Sequence, residues 1–184
     1  MGSGGKGMEE MILNEEVAAV VDLSLHEMTD NLFGGDYDAG PTRGTAALKK
    51  KIPTVLVPGN VDFLVAGPLK TAQRLFPGRR YHQHNAAITV VSTEQKEMEI
   101  LAQVIAKQCN SATGPYAVLV PLEGFSAFDD EAGPLPNEDG RKAFVDVLTK
   151  ELLDLKPLNL IPHHINDPEF AEALIKVLEG LVPL

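Results

Sequence analysis

Only one cysteine, Cys109, occurs in the 184 residues, so no disulfide forms within the chain. It falls on the apolar side of a predicted helix, where a buried, unreactive thiol is expected. Long apolar runs are missing too: no stretch of about 18 apolar residues occurs, which argues against a membrane-spanning helix. No charged, then apolar, then small-residue leader opens the chain, and a cytoplasmic protein with no membrane partner is expected. Positive charge is scarce, with 16 Lys and Arg against 26 Asp and Glu and a formal net charge of -10. Lys49-Lys50-Lys51 and Arg79-Arg80 are the dense basic spots. They are too small for a nucleic-acid footprint and read as solvated helix or loop ends.

Several catalytic signatures are also absent. Neither H-E-x-x-H nor a cysteine-histidine pattern appears, so no metal site is assigned. Ser126 lies in Gly124-Phe125-Ser126-Ala127-Phe128, where Phe128 replaces the second glycine of a G-x-S-x-G elbow, which argues against serine hydrolysis. The opening glycines lack the Lys-Ser/Thr pair of a P-loop. Gly2, Ser3, Gly4 and Gly5 nevertheless lead into a short amphipathic helix, a junction where free N–H groups and the helix dipole attract phosphate. A linker or a plain tight turn reads equally well there. In nucleotide-binding α/β folds such a loop follows a strand, and none precedes it here, so the chain is expected to be one half of a longer protein.

What is present is an alternation of apolar strands and amphipathic helices. Val17–Leu25, Ile52–Val57, Tyr116–Pro121 and Leu158–Ile161 are near-continuous apolar runs of the kind buried in a parallel sheet. Val61–Ala66 is ambiguous between strand and loop, while Ile88–Val91 reads as strand. Ser92 and Gln95 form an S-x-x-Q capping box before a helix over Thr93–Cys109, and Asp167 with Pro168 opens the last helix. The 44% hydrophobic, 23% charged composition is that of a soluble globular domain. Together these predict a single α/β domain over 1–184, Rossmann-like, with a doubly wound, mostly parallel sheet flanked by helices.

Polar residues gather where those strands end, at the edge where open α/β sheets bind ligands. They include Asp22 and Glu27, Gly59 and Asp62, and His164, Asn166 and Asp167, with Ser126 in a long loop that runs from Glu123 to Gly140. In Arg80-Tyr81-His82-Gln83-His84-Asn85 the alternation places His82 and His84 on one face of an extended segment. His82, His84, His163 and His164 with the nearby carboxylates are metal-ligand types without diagnostic spacing. Each is as readily a helix cap or a loop hydrogen-bonding group.

Several longer phrases carry a resemblance: GSGGKGMEEMI, DLSLHEMTDNLFGG, AGPTR, VPGNVDFLVAGP, FPGRRYHQHN, VPLEGFSAFD and HINDPEFAEALI. They resemble the family of uncharacterised proteins that includes the tomato mosaic virus resistance protein, a Tm-like ATP-binding domain family. The resemblance spans Gly2 to about Leu181 and implies the second, C-terminal half of a two-lobed Rossmann-like protein that self-associates. It also implies ATP, with magnesium, as a ligand of the full-length protein, assigned mainly to the other half. Residues here that match the family phrases are Gly4, Gly5, Asp22, Glu27, Gly59, Asp62, Arg80, His82, His84, Asn85, Ser126, His164, Asn166 and Asp167.

The leading expectation is a strand-end pocket at an inter-lobe or inter-subunit interface, holding a nucleotide or small polar ligand. Its partners are the N-terminal half of the same family protein or a second copy, with no nucleic acid. One rival is a hydrolase or lyase using His82, His84 or His164. The other is an interaction module using the Lys49–Lys51 helix end or the Asp129–Gly140 loop.

Overall fold

A computed structural model describes residues 4–182. Elements are numbered in chain order. The four apolar runs form a parallel sheet of β1 (Val20–Asp22), β2 (Thr54–Leu56), β6 (Tyr116–Pro121) and β7 (Leu158–Ile161), in the order β1-β2-β6-β7. The register places Val55 between Val21 and Ala117, and Val118 between Leu56 and Leu158. Because side chains alternate between faces, these strands bury both sides. Leu56, Val118 and Val120 meet α2 (His26–Phe33), α5 (Gln95–Asn110) and α6 (Glu138–Glu151) through Met28, Leu101, Phe144 and Leu148. Val55, Val57, Ala117 and Leu119 meet Phe170 of α7 (Pro168–Leu181) on the opposite face. The chain is therefore α/β and Rossmann-like, with helices flanking both faces.

α1 (Gly5–Asn14) and α3 (Ala46–Lys49) close the β1 side through Ile12, Ala46, Ala47 and Ile52. Their ends satisfy one another. The Glu9 carboxylate accepts from Gly44 N–H at 2.6 Å and Ala46 N–H at 2.9 Å. Lys50 Nζ donates to Ile12 and Glu15 carbonyls at 2.8 and 3.0 Å, neutralising the orphan carbonyls at the α1 C-terminus. Lys50, exposed at the C-terminal end of α3, thus also caps α1.

Between β2 and α5 the chain makes a separate antiparallel sheet. It contains β3 (Phe63–Ala66), β4 (Tyr81–Gln83) and β5 (Thr89–Ser92) in the order β3-β5-β4, with α4 (Leu69–Leu75) connecting β3 to β4. The ambiguous Val61–Ala66 segment is resolved as strand from Phe63. Asn85 shapes the β4–β5 turn, its Oδ1 accepting from Ala87 and Ile88 N–H at 2.8 and 2.9 Å.

Two helix starts differ from expectation. α5 is capped at Glu94, and the Glu97 carboxylate accepts from Glu94 N–H at 2.8 Å. Ser92 is the buried last residue of β5, and its hydroxyl is taken by Arg80 and the Thr93 carbonyl. Asp167 does occupy the N-cap of α7 before Pro168, but its carboxylate turns back to accept from His164 N–H at 2.8 Å.

Candidate functional site

At the β1 end, the polar residues close around Arg43. Its guanidinium is 3% exposed and grips both Asp22 carboxylate oxygens, Glu27 Oε2 at 2.7 Å and the Ser24 carbonyl at 2.8 Å. Burial works against the charge, but the hydrogen bonds and fields of Asp22 and Glu27 raise the Arg43 pKa overall. Glu27 Oε1 accepts from Gly5 N–H at 3.0 Å, so the anion at the start of α1 is a side chain of the protein. A Cβ on Gly5 would lie 1.7 Å from Glu27 Oε2 and 2.3 Å from Arg43 Nε, which accounts for glycine there. Gly4 is exposed with open space around it, and Gly2 and Ser3 lie outside the described residues.

Gly59 and Asn60 tie β2 to its neighbours. A Cβ on Gly59 would meet the Leu23 carbonyl at 2.1 Å, and Asn60, with φ of 60°, donates to Ser24 Oγ at 3.0 Å. Asn60 N–H donates to the Phe125 carbonyl at 2.8 Å, pinning the long loop after β6. Ser24 Oγ also meets His26 Nδ1 at 3.2 Å. His26 Nε2 has no partner, and burial, the largest cause, lowers the His26 pKa.

The second polar centre lies under the long loop. Asp62 is 1% exposed; its Oδ2 accepts from Ser126 Oγ–H at 2.6 Å while Oδ1 has no partner. Burial first, then the negative charge of Asp129, pushes the Asp62 carboxyl up to about 7. Asp129 is fully engaged by Phe125 N–H at 3.1 Å, Asn137 N–H at 2.6 Å and the Arg141 guanidinium. Ser126 Oγ accepts from Phe128 N–H at 3.1 Å as well, so its hydroxyl is a staple for the loop.

His164 is buried in the same centre. Asn166 N–H donates to its Nδ1 at 3.1 Å, which leaves Nε2 as the donor to the Ser126 carbonyl at 3.0 Å in the neutral ring. A Cβ on Gly124 would meet the His164 ring at 2.2 Å. His82 and His84 pack against Phe128 of the same loop, their ring centroids 5.4 and 6.3 Å from its ring. Arg80 spans to the Pro136 carbonyl at 2.7 Å, and Asn85 belongs to the exposed hairpin turn. The structure therefore unites Asp62, Ser126, His164, Asn166 and Asp167. It places Asp22 and Glu27 in the Arg43 centre, His82 and His84 against Phe128, whose N–H bonds Ser126 Oγ, and Asn85 in the hairpin turn. Among the described residues, no three His, Cys, Asp or Glu side chains are grouped to hold a metal ion.

The strand-end face opens into a cleft of about 940 Å³ between the loops after β6 and β7. Its walls are Glu123, Asp130, Glu131, Glu138 and Asp167, with Arg141 and His164 at the base and Leu122 and Ala132 as apolar lining. Arg43, Asn137 and Arg141 are structural partners that the sequence reading did not select. The signal for Arg43 was available: Asp22 and Glu27, once placed on buried elements, require a cation, and Arg43 stands in the AGPTR phrase. No helix among the described residues is long and apolar enough to cross a membrane.

Fold and site define a Rossmann-like α/β domain with an acidic strand-end cleft. The chain belongs to the Uncharacterised protein family (UPF0261), as its C-terminal domain, which matches residues 1–182. A UPF0261 protein of Clostridium tetani is 34% identical over 98% of this chain and 45% of its own length. The ToMV resistance protein Tm-1(GCR237) of Solanum lycopersicum is 33% identical over 95% of this chain and 23% of its own length. A UPF0261 protein of Rhizobium meliloti is 30% identical, again over 95% of this chain and 44% of its own. The chain thus spans less than half the length of these relatives.

Proposed function

We propose that this domain supplies one wall of a ligand pocket at the strand ends, completed by the remainder of a longer two-lobed protein or by a second copy. The observation that carries this reading is the open cleft over the β6 and β7 ends, polar at its rim and rigid beneath. Its floor is held by the Asp62–Ser126 and Asp129–Arg141 contacts, so the ligand meets fixed groups without prior ordering. Five carboxylates line it, and Arg141 is already paired, so a bare anion is repelled. The ligand class that suits the rim is small and polar, bearing positive charge or arriving with a divalent cation, as a magnesium nucleotide does. A cytoplasmic setting suits a chain whose sole cysteine is a buried free thiol.

Calorimetric titration with ATP and magnesium tests the nucleotide form, using the chain alone and the longer protein that contains it. Heat from the longer protein only is the expected result. Heat from neither removes the nucleotide reading, and equal heat from both removes the shared-pocket reading.

A further inference from the structure

The cleft has an unprotected neighbour. β7 ends the parallel sheet, with β6 on one side and, among the described residues, no strand on the other. Its residues are half-buried or exposed, whereas β2 is buried throughout. Leu158 packs on the α5–α6 side and Ile161 on the α7 side, so among the described residues β7 is flanked on both faces and open along its outer edge. Leu160 is 42% exposed, and Leu155, in the turn before the strand, is 50% exposed.

The backbone of this edge is open in a defined way. Val118 N–H donates to the Pro157 carbonyl at 2.8 Å and Leu122 N–H to the Ile161 carbonyl at 2.9 Å, so the odd-numbered residues of β7 face β6. In a parallel ladder alternate residues point their amide groups to opposite sides. The Leu160 N–H and carbonyl, and the Leu158 carbonyl, therefore project off the sheet; Leu158 N–H is taken by the Leu155 carbonyl at 3.0 Å. Pro157 and Pro162 bound the strand, but it carries no charge and no bulge of the kind that protects natural edges.

We propose that the β7 edge is an intramolecular docking surface, covered in the longer protein by a strand from the segment that this chain does not include. Three observations favour that occupant over a second copy. The relatives extend well beyond this chain, which accounts for 45% and 44% of the bacterial ones. The exposed parts of Leu155 and Leu160 amount to on the order of 200 Å², against roughly 800 Å² per partner in a stable free complex. A tethered segment needs far less, because its effective concentration is in the millimolar range. A second copy also brings the same net charge of -10. The loop that follows β7 carries His164 and Asp167 into the cleft, so a strand laid on β7 overhangs it. The inference shares the two-lobed arrangement proposed above but does not depend on which ligand binds.

Amide hydrogen exchange over residues 158–162 tests it, measured in the 184-residue chain and in the longer protein. The expected result is slowing at Leu160 by roughly tenfold or more in the longer protein. Leu160→Lys, at an exposed position, leaves exchange in β2 and β6 unchanged in the short chain but abolishes the added protection in the longer one. Equal exchange in both proteins overturns the proposal, as does protection in the short chain that rises with its concentration, which assigns the edge to a second copy. Protection in the longer protein without heat from any nucleotide leaves this proposal standing and removes only the nucleotide reading.

Discussion

Replacing Asp62 by asparagine changes the sign of its effect on stability with pH. Burial and the Asp129 charge hold the Asp62 carboxyl at about 7, against an ordinary 3.8. Between those values the folded chain keeps a proton that the unfolded chain has lost, so raising the pH through this window lowers stability. Below it both forms are protonated and nothing is lost; above it the whole cost is present. At roughly 1.4 kcal/mol per pH unit, that cost reaches about 4 kcal/mol at pH 8 and about 1 kcal/mol at pH 4.5. Asp62→Asn removes it and retains an acceptor for Ser126 Oγ–H. The substitution places an amide at the Oδ1 position, which has no partner, and an unsatisfied buried donor costs about 1–3 kcal/mol. The variant is therefore more stable than the parent at pH 8 and equal or less stable at pH 4.5, a swing of about 3 kcal/mol. Urea denaturation followed by circular dichroism at four pH values measures it. Asp30, also raised to about 7 by burial, titrates in the same window in both proteins and cancels in the difference. A stability difference that stays flat from pH 4.5 to 8 refutes the reasoning.

Arg43→Met leaves the Asp22 and Glu27 carboxylates buried without their cation and costs about 3–5 kcal/mol at neutral pH. Urea denaturation at pH 7.5 measures it, and a loss below about 1 kcal/mol counts against it. Burial pushes the Cys109 thiol up to about 12, so a thiol-reactive aromatic disulfide labels it only as the protein unfolds. Rapid stoichiometric labelling of the native chain contradicts that placement.

The parallel sheet was legible because its strands are near-continuous apolar runs, a pattern that buried strands need and surface segments cannot keep. The antiparallel insertion was legible only as strand-like pieces. Val61–Ala66 reads as strand or loop and Ile88–Val91 as strand, and nothing in their composition says that they pair with each other instead of joining the main sheet. The gathering of polar residues at strand ends was also legible, but not its division into two centres. That division depends on Arg43 and Arg141, which arrive from a loop and a helix far away in sequence. His82 and His84 sharing a face followed from alternation, whereas their common contact with Phe128 of the long loop required the insertion to be placed.

The polar residues that first suggest chemistry are mostly committed to holding the strand ends together. Ser126 Oγ both donates and accepts, both His164 ring nitrogens are engaged, and Asp129 is bonded on both oxygens. A hydrogen-bonding group already satisfied inside the fold gains little by turning to a ligand, because it exchanges one partner for another. Groups free to act on a ligand therefore sit at the cleft rim, in Glu123, which the end of β6 already pointed to, and in Glu131 and Glu138, which it did not. Substituting the buried centre tests folding, and substituting the rim tests binding. If the cleft binds a cation-bearing ligand, Glu131→Gln and Glu138→Gln weaken binding without moving the urea midpoint, whereas Ser126→Ala moves the midpoint first.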